Sequence, residues 1–272
     1  MTRIALAATA AFGADVLELL ARRHEIAFCL TRPDRPRGRG RLLAPPAAKQ
    51  TAERLGIPVL QPERLGPELN LAAETVVVAA YGVLIPQILL DRHLWLNVHP
   101  SLLPRWRGAA PVERAIMAGD EKTGVTIHRT TVELDAGPIA AQSAFPIEPE
   151  DDAAAVYAKA APLAAELLEG VLANPRFEPQ ADEGLTYAEK LTPADRELDW
   201  SCPAEESLRR IRALSPHIGA RGEVLERRLT VWKARLAGPE AALAAGGLEL
   251  LEVQPEGRRR MTGGEFLRGL KH

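Results

Sequence analysis

The sequence predicts an α/β fold, a mostly parallel sheet wound with helices, followed by a smaller β-rich module. Three observations carry this. Arg3–Ala8, Glu25–Thr31 and Thr75–Ala80 are short, nearly continuous apolar runs, the pattern of strands buried on both faces of a parallel sheet. Between the first two lies Phe12–Arg23, with Val16, Leu17, Leu19 and Leu20 apolar and Glu18, Arg22 and Arg23 polar. That is an amphipathic helix, and strand–helix–strand makes a right-handed βαβ unit. Beyond Ala204 the pattern changes to short strand signals around glycines.

The remaining elements follow in order. Pro45–Leu55 reads as a helix closed by Gly56, Ile57–Leu60 as a short strand, and Pro62–Leu69 as a short helix or turn. Tyr81–Pro86 leaves the Thr75–Ala80 strand at its carboxyl end, the edge where open α/β sheets hold ligands. It is either an apolar connection packed in the core or a bed where Gly82 lets backbone approach a flat ring. Trp95–Val98 is another strand, and Ala109–Ala118 a helix ended by Gly119 and Asp120. Thr123–Thr131 alternates polar and apolar, and Ile139–Pro146 returns from the Leu134–Pro138 turn, so the two predict a hairpin. Asp151–Leu172 is an amphipathic helix that Pro162 is expected to kink or split. Asn174–Gly184 is polar and irregular, and Tyr187–Trp200 resembles an extended linker. Ala204–Leu214 is a helix; Gly222–Ala234, Gly247–Val253 and the Met261 region are strand patterns; Thr262–Leu270 is a closing helix. Ala241–Ala245 is expected to be a surface loop.

Length and composition bound the function. At 272 residues the chain holds one large domain or a large and a small one. A net charge of −2 excludes a uniformly basic nucleic-acid binder. Two isolated cysteines give no disulfide framework, which suits a reducing cytosol. The amino terminus has no signal-peptide pattern and no apolar run spans a bilayer, so a cytoplasmic protein with no membrane partner is expected. The first turn, Ala8–Gly13, lacks Gly-x-Gly-x-x-Gly; although the first half is Rossmann-like, no dinucleotide site is expected. No P-loop, nucleophile elbow or metal-ligand spacing occurs.

Two stretches carry chemistry. Asn97–Gly108 places an amide, an imidazole, a hydroxyl and two guanidinium groups within twelve positions, and Asp135 adds a carboxylate at the Leu134–Gly137 turn. An amide N–H can stabilise an oxyanion, worth roughly 3 kcal/mol. A histidine can donate or stabilise charge near its working pH, and a carboxylate can carry a proton if burial raises its pKa. Asn97, His99 and Asp135 each have an ordinary structural reading alone; together they suit acyl transfer to an amine. The second stretch, Arg32–Arg41, holds five arginines against one aspartate among prolines and glycines. It is either a solvated loop or an irregular arm that attracts phosphate, and its place after a parallel strand favours the arm.

The runs Val76–Pro86, Asn97–Pro111, Gly119–Ile127 and Leu134–Gly137 resemble the methionyl-tRNA formyltransferases, of the folate-dependent formyltransferase family. So do Pro33–Pro36, Gly38–Gly40, Thr186–Leu191, Asp199–Trp200, Val231–Ala234 and Gln254–Met261. The resemblance implies a Rossmann-like formyltransferase domain over 1–178, a linker over 179–200 and a C-terminal OB-like β-barrel that binds tRNA over 201–272. It implies formyl transfer from 10-formyltetrahydrofolate, without metal, to the amino group of methionyl initiator tRNA, by a monomer. Asn97, His99 and Asp135 would be catalytic. Ser101, Leu102, Leu103 and Pro104 would contact the folate, with Tyr81, Gly82, Val83, Leu84 and Ile85 beside the pterin. Arg35, Arg37, Arg39 and Arg41 would reach the tRNA. Two departures stand out. The first turn reads Ala8-Thr9-Ala10 where the family has Gly-Thr-Pro, and the chain lacks about two strands' worth between Ala237 and Gly247, so a trimmed barrel is expected. A formyltransferase acting on a small amine and a silent RNA- or folate-binding module are the alternatives.

Overall fold

The structure, a computed structural model, describes residues 2–37 and 42–270. In chain order the elements are β1 (Arg3–Ala8), α1 (Ala11–Ala21), β2 (Glu25–Leu30), β3 (Arg35–Arg37), β4 (Leu42–Ala44), α2 (Ala47–Arg54), β5 (Val59–Leu60), β6 (Thr75–Ala79), α3 (Gln87–Leu90), β7 (Leu94–His99) and β8 (Arg107–Gly108). There follow α4 (Pro111–Ala118), β9 (Lys122–Arg129), β10 (Ile139–Pro146), α5 (Ala153–Ala173), β11 (Tyr187–Ala188), a 3-10 turn (Ala194–Arg196), α6 (Ala204–Leu214), β12 (Ala220–Val224), β13 (Arg227–Leu236), β14 (Ala244–Ala245), β15 (Leu248–Pro255), β16 (Met261–Thr262) and α7 (Gly263–Gly269). Two compact units form: Met1–Ala109 with Gly124–Phe145 and Tyr157–Tyr187, and Ala110–Thr123 with Pro146–Val156 and Ala188–His272.

The first unit carries a seven-stranded sheet ordered β10-β9-β7-β6-β1-β2-β5. The strands from β7 to β5 pair in parallel; β9 pairs antiparallel with β7. Strand alternation explains the two cores. Ile4, Leu6, Ala8, Val77, Ala79, Leu96, Val98, Val125 and Ile127 pack with residues of α1, α2 and α5. Ala5, Ala7, Val76, Val78 and Trp95 point the other way, toward Phe28, Leu71, Tyr81 and Leu89. The chain runs from β1 outward through β2 to β5, then returns past β1 to β6 and β7. Open α/β sheets hold ligands at the carboxyl ends of strands where the order reverses in this way. Gly13 lets α1 lie against the sheet there, because a Cβ would overlap the Ala79 carbonyl oxygen.

Several expectations are corrected. The Arg32–Arg41 stretch is not irregular over its described part: Arg35–Arg37 pairs antiparallel with Leu42–Ala44. Its foot is tied down by Asp34, which accepts from Lys49 Nζ at 2.9 Å and Gln61 Nε2 at 2.8 Å. Proline is tolerated in such an isolated ribbon because no inner ladder needs its missing N–H. Pro162 lies inside α5 without splitting it. Of the two readings of Pro62–Leu69, short helix or turn, the structure takes the turn. Within the expected linker, Ala188 and Leu198 are buried and short regular elements form.

The second unit carries a sheet ordered β12-β13-β15-β14, with β16 also on β15, five strands in all. Gly222–Ala234 is two strands, not one: Leu225 and Glu226 take φ of 50° and 57° and turn the chain back, the geometry of a two-residue hairpin. The alanine patch is not a free loop, since Leu243 is buried and Ala244–Ala245 pairs with β15. Ile211 and Leu214 of α6 pack with Leu229, Val231, Leu250, Val253 and Phe266. Thr262 and Glu265 form a capping box at the start of α7.

Candidate active site

The same alternation that builds the core gathers the polar groups. Leu96 and Val98 face one core, so Asn97 and His99 share the opposite face of β7. On β9, Thr126 and His128 share that face, and the register sets Asn97 opposite His128 and His99 opposite Thr126. All four lie at the carboxyl end of β7.

The turn after β7 is held by hydrogen bonds. Thr126 Oγ1 donates to the Ser101 carbonyl at 2.7 Å and accepts from the Leu103 N–H at 3.1 Å and from Gln142 Nε2 at 2.8 Å. Ser101 Oγ donates to the Arg105 carbonyl at 2.7 Å. The Leu103–Pro104 peptide is cis, and Trp106 takes a left-handed φ of 66°. The Trp106 carbonyl then meets His99 Nε2 at 2.7 Å. A carbonyl only accepts, so Nε2 carries the hydrogen and Nδ1 is left for Asp135.

Asp135 is reached from a turn 38 residues beyond Asn97. Its φ is 49°, a left-handed conformation that aspartate tolerates better than most residues. Gly137 is required beside it, because a Cβ there would overlap the Arg129 carbonyl. Gln180 clamps the turn. Its Nε2 donates to the carbonyls of Asp135 at 2.7 Å and Gly137 at 2.8 Å, while its Oε1 accepts from Arg107 Nε at 3.0 Å and Nη2 at 2.8 Å.

The Asp135 carboxylate is the centre of the network. Oδ1 accepts from Asn97 Nδ2 at 2.9 Å, and Oδ2 from the Gly108 N–H at 2.9 Å. His99 Nδ1 lies 3.7 Å from Oδ2 and His128 Nε2 3.5 Å from Oδ1. Burial alone raises the Asp135 pKa, but His128 and His99, which hold the carboxylate whenever either ring is protonated, and the Gly108 N–H outweigh it. The net position is below the ordinary carboxylate value. From the sequence, proton carriage by Asp135 is conditional on burial raising its pKa; that condition is not met, because the neighbouring groups outweigh burial. Burial likewise lowers the His99 pKa; Asp135 and the Trp106 carbonyl offset this only in part. The resting pair is therefore an ionised carboxylate beside a neutral imidazole.

Asn97, His99 and Asp135 thus converge. The expected oxyanion donor is, however, fully engaged: Asn97 Nδ2 also lies 3.0 Å from His128 Nε2, so both amide hydrogens have partners.

The other expected site residues separate by burial. Ser101, Leu103, Tyr81 and Ile85 are buried, Leu102 and Pro104 half-buried, and Gly82, Val83 and Leu84 exposed, Leu84 by 76%. Burial pushes the Tyr81 hydroxyl up to about 12, the Arg32 guanidinium opposing; it stays protonated. The altered first turn is anchored internally: the Thr9 and Ala10 N–H groups donate to the Ala80 carbonyl, and Thr9 Oγ1 to the Tyr81 carbonyl at 2.8 Å. Arg35 is exposed on β3, and Arg37 pairs through its backbone with Leu42. Arg39 and Arg41 lie outside the described residues. Among the described residues no group of His, Cys, Asp and Glu could hold a metal ion.

His128 and Gln180 escaped the sequence reading. His128 had a signal: it sits on the polar face of a strand whose other face is Val125 and Ile127. Gln180 had none, standing in an irregular stretch 45 residues from Asp135.

Comparison with known proteins bears on the family of the chain. The formyl transferase family profile matches residues 2–172, and the formyl transferase C-terminal domain profile residues 190–246. Methionyl-tRNA formyltransferase of Halorhodospira halophila is 44% identical, covering 88% of this chain and 86% of its own. That of Paracoccus denitrificans is 39% identical, covering 98% and 97%. Its aligned span of 290 positions exceeds this chain's 272 residues, so the relative has residues this chain lacks. The crystal structure of HypX from Aquifex aeolicus in complex with tetrahydrofolic acid superposes with a TM-score of 0.69 at 19% identity, covering 98% of this chain and 47% of that one. The fold, the two matched domains and the full-length relatives converge: the chain belongs to the formyl transferase family, among the methionyl-tRNA formyltransferases, enzymes that move a formyl group onto methionyl-tRNA.

Proposed function

We propose that the formyl donor is 10-formyltetrahydrofolate, that the acceptor is the free amino group of methionine on initiator tRNA, and that Asn97, His99 and Asp135 carry the transfer. The amine nitrogen attacks the formyl carbon, the carbonyl π pair moves to oxygen, and the carbon–N10 bond then breaks. Asp135, ionised at rest, takes the proton the amine loses and returns it to the departing nitrogen. His99, its Nε2–H held by the Trp106 carbonyl, keeps Nδ1 beside Oδ2, where it can stabilise developing charge. Asn97 gives one amide hydrogen to the oxyanion, which requires it to leave one of its two resting partners. No protein nucleophile is needed, since the amine is the nucleophile.

The single observation behind this reading is the meeting of three polar side chains from β7 and a distant turn at one carboxylate. Ser101–Pro104 and Tyr81–Ile85 are the proposed folate contacts, joining buried polar turns to exposed apolar surface at Val83 and Leu84. Arg35, Arg37, Arg39 and Arg41 are the proposed tRNA contacts. Functionally we divide the chain into catalytic residues 1–178, a linker over 179–200 and a tRNA-binding part over 201–272. A cytoplasmic monomer is part of the same reading; among the described residues no helix is long and apolar enough to cross a membrane, and both cysteines are free.

The test is to supply 10-formyltetrahydrofolate with charged initiator tRNA and follow formylmethionyl-tRNA. Turnover is expected with the tRNA and not with glycinamide ribonucleotide or an amino-sugar nucleotide. Turnover with a small amine alone would transfer the assignment to that acceptor.

A further inference from the structure

His128 has no part in the proposed transfer, yet it touches two of the three groups that do. It is 1% exposed. Its Nδ1 lies 3.1 Å from the Arg129 carbonyl, which only accepts, so Nδ1 carries the hydrogen. Its Nε2 lies 3.0 Å from Asn97 Nδ2, which only donates, so Nε2 offers its lone pair. The two contacts specify a neutral Nδ1–H ring. The Asn97 amide is oriented by the same logic, because exchanging its O and N would set its oxygen against Asp135 Oδ1.

Two neutral imidazole nitrogens therefore stand within reach of a protonated Asp135: His99 Nδ1, 3.7 Å from Oδ2, and His128 Nε2, 3.5 Å from Oδ1. Only the second is already occupied by an Asn97 hydrogen. We infer that His128 is a positioning residue that couples proton uptake at Asp135 to release of the Asn97 amide. While Asp135 is a carboxylate, His128 Nε2 holds one amide hydrogen and fixes the amide plane. When the amine's proton arrives on Oδ1, the new O–H donates to Nε2 and displaces that hydrogen. The freed N–H turns to the oxyanion forming in the same step. Return of the proton to the departing nitrogen restores the first arrangement. His128 stays neutral throughout, and no atom or charge is left over.

This inference rests on the proposed roles of Asn97 and Asp135, so one arm of the test is independent of activity. Nitrogen–proton correlation spectra of the full-length, histidine-labelled protein at neutral pH, with the His128 signals identified by their loss in His128→Gln, report the tautomer directly. The Nδ1–H form is expected; an Nε2–H ring or an imidazolium would overturn the inference even if formyl transfer proceeds. In steady-state kinetics, His128→Leu removes the acceptor and should lower kcat about tenfold to a hundredfold, with KM for folate and tRNA within about twofold. His128→Gln, whose Oε1 can accept from Asn97, should recover most of that loss. Unchanged kcat in the leucine variant, or equal losses in both variants, would refute the coupling. If the leucine variant fails to fold, the tautomer and the glutamine variant still decide.

Discussion

The cluster around Asp135 and the β3–β4 hairpin belong to the same unit and use polar groups in opposite ways. Around Asp135 the partners are fixed: Asn97 and Gly108 on the carboxylate, Gln180 on the backbone, Arg107 on Gln180, the Trp106 carbonyl on His99. The hairpin is held by its ladder and by Asp34 at its foot, and it leaves Arg35, Leu42 and Leu43 exposed. A buried network acts through direction, so removing one partner strands the other at full desolvation cost. An exposed cationic ribbon acts through its field, which salt screens. Loss in the first should fall on turnover; loss in the second should fall on affinity.

The sharpest way to break the comparison is Asp135→Asn. The amide keeps the shape but replaces one of two accepting oxygens with a donor and removes the proposed base. Turnover should fall by about three orders of magnitude, with tRNA affinity near wild type. Turnover within about tenfold of wild type would take Asp135 out of the proton path. Asn97→Ala should follow, with kcat down by about two orders of magnitude; since Asn97 also donates to Asp135, the variant's Asp135 should titrate nearer to an ordinary carboxylate, visible as a shifted acid limb of the rate profile.

Gln180 tests whether the clamp belongs with the network. Gln180→Ala leaves the buried Arg107 guanidinium short of an acceptor and two carbonyls short of donors. It should lower stability by about 2 kcal/mol in denaturant unfolding and kcat by about tenfold, because the left-handed Asp135 turn loses its tie. A stability loss with unchanged kcat would make the clamp structural only.

Acid should act on the same region. The folded pKa values of His99 and Asp135 are both depressed. The unfolded chain therefore binds more protons than the folded one as pH falls, first through His99 below roughly 6.5 and then through Asp135 below roughly 4. The stability they contribute is fully present above those values and is lost on acidification. His99→Gln should flatten the upper part of that loss in midpoint-versus-pH measurements; an unchanged slope would contradict the buried neutral ring.

How much of this was legible is uneven, for local reasons. Nearly continuous apolar runs gave β1, β6 and β7, and with them Asn97 and His99, because both faces of the parallel strands are apolar and only their carboxyl ends turn polar. Arg3–Ala8, Ile139–Pro146 and Ala204–Leu214 were read to the residue. The direction of the Asp135 shift was not legible: the groups around its carboxylate come from Gly108, 27 residues earlier, and from β9, and no local pattern reports them. Gln180 was hidden for the same reason. The hairpin was missed because Pro36 and the neighbouring glycines signal a break, while the partner strand Leu42–Ala44 looks like a mere connection.

The smallest expected effect sharpens the other side of the comparison. Arg35 is exposed and on the ribbon, and its proposed partner is a phosphate. Arg35→Ala should weaken binding of initiator tRNA by only about threefold at physiological salt and leave kcat at saturating tRNA unchanged. The discriminating measurement is the salt dependence, because each lost phosphate contact removes about one counterion: the slope of log affinity against log salt should become shallower by about 0.7 to 0.9. An unchanged slope would mean the ribbon does not meet the acceptor's backbone. A fall in kcat instead would mean that the hairpin feeds the geometry around Asp135, and that the division between direction and field does not hold within this unit.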